Sequence, residues 1–171
     1  MNLEKTMEVS VKTDIMIQNL DLTALGRSEI SVLYIGNNPI TMGQVYSYLE
    51  GLKRNRFFSE VCFNIKDGLD KLRKLHPNFL LLDDSLALAD LKVIIKSVRS
   101  STKTRFLPIT LLKSNGNDKR ELGTGVSDSL LKDALTIDRL KASIIRTLKK
   151  SEVDERFVRS LSKNSQRTYF L

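Results

Sequence analysis

The chain has 171 residues, of which 41% are hydrophobic and 28% charged, enough for one domain with a full core and far from the composition of a disordered chain. Its formal net charge of +8 suits an acidic partner, but basic faces are common without one, so charge alone assigns no ligand. A single cysteine, Cys62, and a single histidine, His76, exclude an internal disulfide, a cysteine-based zinc cluster and a histidine pair.

Residues 1–28 carry Glu4, Glu8, Asp14 and Asp21 among interrupted apolar residues, unlike the basic start and apolar run of a signal peptide. They read as a leader that is mobile or folds into one short helix, closed by the turn-like Gly26-Arg27-Ser28. No later stretch approaches the roughly 20 apolar residues that a membrane-spanning helix needs, so a cytoplasmic chain without a membrane partner is the expectation.

From residue 29 onward, short apolar runs alternate with helical patterns. The expected strands are Ile30 to Ile35, Val61 to Ile65, Phe79 to Leu82, Leu107 to Leu112 and Val126 to Leu131. Helical spacing fits Ile40 to Leu52, Gly68 to Leu75, Leu86 to Val98 and a weak segment near Asp118 to Leu122. Tyr34, Tyr46, Tyr48, Phe57, Phe58, Phe63 and Phe79 fall in or beside these elements, where packing is the ordinary role of an aromatic ring. Unbroken apolar strands such as Phe79-Leu80-Leu81-Leu82 belong to parallel sheets covered on both faces, and the functional cleft of such a sheet lies at the carboxyl ends of its strands. The fold class is therefore α/β, an open doubly wound sheet of five parallel strands over residues 29–150.

A final helix starts at Thr136, whose hydroxyl is placed to cap it, and runs through Ile137, Leu140, Ile144 and Leu148. Ser151-Glu152-Val153-Asp154 reads as a second capping signal, followed by Val153, Phe157 and Leu161 at four-residue spacing. Residues 151–171 are thus a helical extension, either one long kinked helix with the preceding segment or a second helix in series.

Two strand ends carry the chemistry. His76-Pro77-Asn78-Phe79-Leu80-Leu81-Leu82-Asp83 resembles the third-strand signature of the CheY-like receiver domains of two-component response regulators, in which a proline-led apolar strand ends in the phospho-accepting aspartate. Gly125-Val126-Ser127-Asp128-Ser129-Leu130-Leu131-Lys132 is similar to the family's fifth strand, which ends in its lysine. The resemblance implies Asp83 as phospho-acceptor-like and Lys132 as the lysine that pairs with a phosphoryl group, beside a magnesium ion held by further carboxylates.

Around those two residues the pattern departs from the family. The acidic pair after the first strand is replaced by Gly36-Asn37, the hydroxyl residue ending the fourth strand by Lys113 followed by Ser114, and the switch aromatic of the fifth strand by Ser129. Magnesium prefers carboxylates, so the expectation is no cofactor and a poor magnesium site. Lys113 and Lys132 are both expected near Asp83, where fixed ammonium groups neutralise carboxylates without a metal. Asp84 is expected to point to the opposite face, as the alternation of a continuing strand requires.

The reading that follows is a non-enzymatic, atypical receiver, a pseudo-receiver acting through protein contacts with little or no phosphorylation. A homodimer is expected through Leu140, Ile144, Leu148, Val153, Phe157 and Leu161. A histidine kinase or an output protein is the partner class that the resemblance implies. Two alternatives remain: a response regulator phosphorylated on Asp83, or a nucleic-acid-binding regulator using Arg146, Lys149, Lys150, Arg156, Arg159, Lys163 and Arg167.

Overall fold

The computed structural model describes residues 25–114, 122 and 125–167, with side chains to Lys163. The leader to residue 24, the weak helical segment near Asp118 apart from Leu122, and residues 168–171 lie outside the described residues. Five strands, β1 (Ile30–Ile35), β2 (Phe57–Cys62), β3 (Phe79–Asp83), β4 (Ile109–Lys113) and β5 (Asp128–Leu131), form one sheet in the order β2-β1-β3-β4-β5. Every pairing is parallel. The order reverses beside β1, between β1 and β3, which places the crevice at the carboxyl ends of these two strands.

Side-chain alternation along the strands feeds two apolar layers. On one face Val32, Tyr34, Phe79 and Leu81 pack with Met42, Val45 and Leu49 of α1 (Pro39–Gly51) and with Leu140, Ile144, Ile145 and Leu148 of the last helix. On the other face Leu33, Ile35, Leu80 and Leu82 pack with Leu72 of α2 (Ile65–Leu75) and with Leu91, Ile94, Ile95 and Val98 of α3 (Leu88–Ser100). Each such leucine, fully buried, contributes about 1.5–3 kcal/mol relative to exposure. Cys62 is buried in the second layer, and burial raises its thiol pKa.

The second strand begins and ends earlier than the apolar run Val61 to Ile65 suggests. Arg56, at φ 63°, turns the chain into β2, and Asn64 caps α2 by accepting from the Asp67 amide at 2.9 Å, so Ile65 opens a helix. Because β2 lies at the sheet edge, Phe58 is exposed, as are Phe63 just after it and Tyr46 on α1. The core role expected of all seven aromatics therefore holds in full for Tyr34, Phe57 and Phe79.

The last helix, α4 (Ile137–Arg167), is one continuous element of 31 residues. Thr136 Oγ1 accepts from the Arg139 amide at 3.2 Å at its start. The second capping signal is not used as a cap: Ser151 Oγ donates to the Phe106 carbonyl, and Glu152 accepts from Arg27 Nε at 2.9 Å. Both contacts tie the helix to the sheet end opposite the crevice. At that end the half-buried Arg99 guanidinium donates to the carbonyls of Gly125 (2.6 and 3.0 Å), Arg105 (3.0 Å) and Leu107 (2.7 Å), joining α3 to the approaches of β4 and β5.

Among the described residues, no helix is long and apolar enough to cross a membrane.

Candidate functional site

Asp83 is the last residue of β3 and is completely buried. Both of its carboxylate oxygens are engaged. Oδ2 accepts from the Tyr34 hydroxyl at 2.6 Å, while Oδ1 accepts from Lys132 Nζ at 2.6 Å and from the Ser85 amide at 2.8 Å. Tyr34 pairs in register with Leu81, so its ring stands on the same sheet face as Leu81 and Asp83, and its hydroxyl reaches the strand end. Burial, the bond to Asp83 and the charges of Asp83 and Asp84 push the Tyr34 phenol far above its ordinary pKa, so it remains a donor.

Lys132 lies in a 3₁₀ turn directly after β5, with its side chain 12% exposed. Its ammonium also donates to Asp84 Oδ1 at 2.5 Å and to Ser114 Oγ at 3.2 Å. Asp84 corrects the sequence-based expectation. The strand stops at Asp83, the chain turns, and the Asp84 carboxylate swings into the same crevice instead of the opposite face. There it accepts from the Ser114 amide at 2.6 Å and the Ser114 hydroxyl at 2.9 Å. Burial alone raises the Asp84 pKa, but the bonds from Lys132 and Ser114 outweigh it and hold the carboxyl below its usual range.

Gly36 follows β1, and its missing side chain leaves the space Asp83 occupies: a Cβ there would stand 2.9 Å from Asp83 Cβ and 3.4 Å from its Cγ. Asn37 is exposed, and its amide donates to Ser85 Oγ at 3.2 Å. Lys113 ends β4, half-buried, and Ser129 is exposed on β5. The structure thus gathers Asp83, Asp84, Ser114 and Lys132 at adjoining strand ends, with Gly36 against Asp83. It adds Tyr34 and Ser85, which sequence reasoning did not single out.

The two carboxylates are the acidic groups that a magnesium ion would use here, and in this structure they share an ammonium. The position between the two carboxylates is filled by an ammonium, and Asp83 has its oxygens committed to three donors. Among the described residues, no group of three or more acidic, histidine or cysteine side chains gathers elsewhere.

Leu140, Ile144 and Leu148 are buried to within 1% exposure in the first layer, so the interface expected there is unavailable: these side chains are core. Val153, Phe157 and Leu161 are exposed. Several basic residues proposed for nucleic acid face acids instead, Arg146 with Asp128, Arg159 with Glu155 at 2.6 Å and Arg156 with Glu152 at 4.0 Å.

No protein-family model matches the sequence, and neither does any curated protein. Solved structures do match. The receiver domain of a sensor histidine kinase from Pseudomonas aeruginosa, with magnesium coordinated in its active-site cleft, superposes with a TM-score of 0.62 at 18% identity, over 71% of this chain and 99% of that one. A putative response regulator from Chloroflexus aurantiacus gives 0.63 at 20%, again over 71% and 99%. The chemotaxis response regulator CheY4 of Vibrio cholerae gives 0.56 at 16%, over 72% and 99%. A chain this distant in sequence still folds as those proteins do: it has the flavodoxin-like α/β fold of the CheY-like receiver domains, extended by a C-terminal helix.

Proposed function

We propose that this chain is a receiver-like signalling module, a non-enzymatic pseudo-receiver that works by protein contact and is not switched by phosphorylation. One observation carries the reading: the carboxylate in the phospho-acceptor position is wholly buried, with a phenol, an ammonium and a backbone amide on its two oxygens. A nucleophile needs an approach path, and burial closes it here while three donors take three of the carboxylate's roughly four lone-pair sites. The ammonium of Lys132 supplies the charge balance that a metal would otherwise provide. The crevice is then a fixed structural element, and signalling passes through surfaces, of which the exposed stripe on the α4 extension is the foremost.

The test is incubation of the chain with a small-molecule phosphodonor and magnesium, followed by intact-mass measurement. The expected result is an unchanged mass. A phosphoryl adduct that disappears in Asp83→Asn would overturn the reading in favour of a phosphorylated regulator.

A further inference from the structure

A cavity of about 230 Å³ opens at the end of the sheet opposite the crevice, between the turn after α3, the approach to β5 and the last helix. Thr147, Lys150, Ser151 and Asp154 line it from α4, at the three- and four-residue spacing that puts side chains on one helix face. Arg105, Phe106 and Ser127 close it from the two loops, and Arg99 from the last turn of α3.

Arg99 sets the chemistry of this cavity. Its guanidinium is half-buried, and burial draws its pKa below the ordinary value. Its partners are all neutral carbonyls: Nε and Nη2 donate to Gly125, Nη1 to Arg105 and Leu107. Four of its five N–H groups are used in this way, which leaves one on Nη2. Carbonyl dipoles satisfy hydrogen bonds but bring no opposite charge, and a partly desolvated cation without a counter-ion is costly.

The remaining donors have the same need. Among the described residues, Arg99, Arg105 and Lys150 form no ion pair; Arg105 rests over the Phe106 ring, 4.9 Å from its centroid. Ser127 Oγ accepts from the Ile109 amide at 3.1 Å, so its own proton is available to donate. Thr147 and Ser151 are already spent on the Ser143 and Phe106 carbonyls. Three cations therefore face one carboxylate, Asp154, and the cavity is positive on balance. Donors reach it from α3, from both loops and from α4. A carboxylate has two oxygens on one side to offer them, whereas a phosphate group presents oxygens in several directions and carries up to two charges.

We propose that this cavity binds a phosphate group, as the free anion or on a small phosphomonoester, between Arg99, Arg105, Lys150 and the Ser127 hydroxyl. The site stands apart from Asp83 and involves no transfer of the phosphoryl group.

The test is calorimetric titration of the full chain with inorganic phosphate and, separately, with glycerol phosphate, at ionic strength held constant with chloride. Saturable binding at one site per chain is expected. Binding of phosphate alone assigns the free anion, and binding of glycerol phosphate assigns the monoester class. Arg105→Gln and Lys150→Gln, both at exposed positions where folding is not at stake, should each weaken binding at least about tenfold. Asp154→Asn, which removes the opposing charge, should strengthen it, and Arg159→Gln, outside the cavity, should leave it unchanged. No saturable binding of either probe, or binding that survives Arg105→Gln combined with Lys150→Gln, would overturn the proposal. Neither outcome touches the mass measurement on Asp83, so the two readings fail separately.

Discussion

The Tyr34 hydroxyl donates to Asp83 Oδ2 at 2.6 Å, joining a core aromatic of β1 to the carboxylate at the end of β3. Both groups are fully buried, so the carboxylate has no water to replace this donor. Tyr34→Phe removes the hydroxyl and leaves the ring. The expected loss is about 1.5–3 kcal/mol, the range for a hydrogen bond to a charged group, read as a lower urea midpoint with unchanged slope.

Lys132 is the common partner of Asp83 and Asp84, at 2.6 and 2.5 Å. Lys132→Met keeps the aliphatic stem but leaves two adjacent carboxylates without their cation. Removing one member of a buried ion pair costs about 3–5 kcal/mol. Adding Asp84→Asn relieves part of the uncompensated charge, so the double variant should be less destabilised than the sum of the singles. A double-mutant cycle by chemical denaturation checks this.

Acid should weaken the fold through Asp84. Its pKa is lower in the folded chain than in the unfolded chain, where about 3.9 applies. The linked stability is therefore present above the unfolded value and is lost as pH falls through the folded one. Urea midpoints measured from neutral pH down to pH about 2 should decline below pH about 4. In Asp84→Asn that part of the decline should be absent, with a lower midpoint at neutral pH.

Gly36 stands where any Cβ would press on Asp83 Cβ at 2.9 Å. The carboxylate cannot retreat without breaking its bonds to Tyr34, Lys132 and Ser85. Gly36→Ala should therefore lower stability by about 1–3 kcal/mol, as overpacking does, measured by thermal melting. Gly43, whose added Cβ meets nothing within 4 Å and which lies on an exposed helix face, is the control: Gly43→Ala should be neutral or mildly stabilising.

Much of the sheet is legible in the sequence, because its strands are the apolar runs. β1 is readable to the residue, as a segment apolar but for Ser31, entering from Glu29 and leaving at Gly36. β2 was not, since as an edge strand it carries Ser59 and Glu60 among its apolar residues and its limits depend on the left-handed Arg56 and the Asn64 cap. At the site, Asp83 and Lys132 were singled out by the resemblance of their strands to receiver signatures, and the structure brings the two side chains into contact. Asp84 was not, because the alternation rule lapses where a strand turns, and a one-residue difference in the end of β3 decides which way a carboxylate faces. Tyr34 was hidden in another way. An aromatic in a buried strand reads as packing, and its hydroxyl's partner depends on the register of β1 against β3, which sequence spacing does not supply. The exposed stripe on α4 was visible as a spacing, but spacing alone does not show that Leu148 is core while Val153 is exposed.

β5 has four residues and only one neighbouring strand, the geometry that ordinarily frays first. Its far end runs into Lys132, anchored on Asp83 and Asp84 two strands away; its near end is approached through the Gly125 carbonyl, held by Arg99 from α3; and Asp128 accepts from Ser143 at 2.6 Å and from Arg146, both on α4. The shortest strand is thus stitched at both ends and along its side to elements that are not its sheet neighbour. Peeling it away means rupturing ionic contacts seated at the carboxyl ends of β3 and β5, so this border of the sheet resists unzipping despite its short strand.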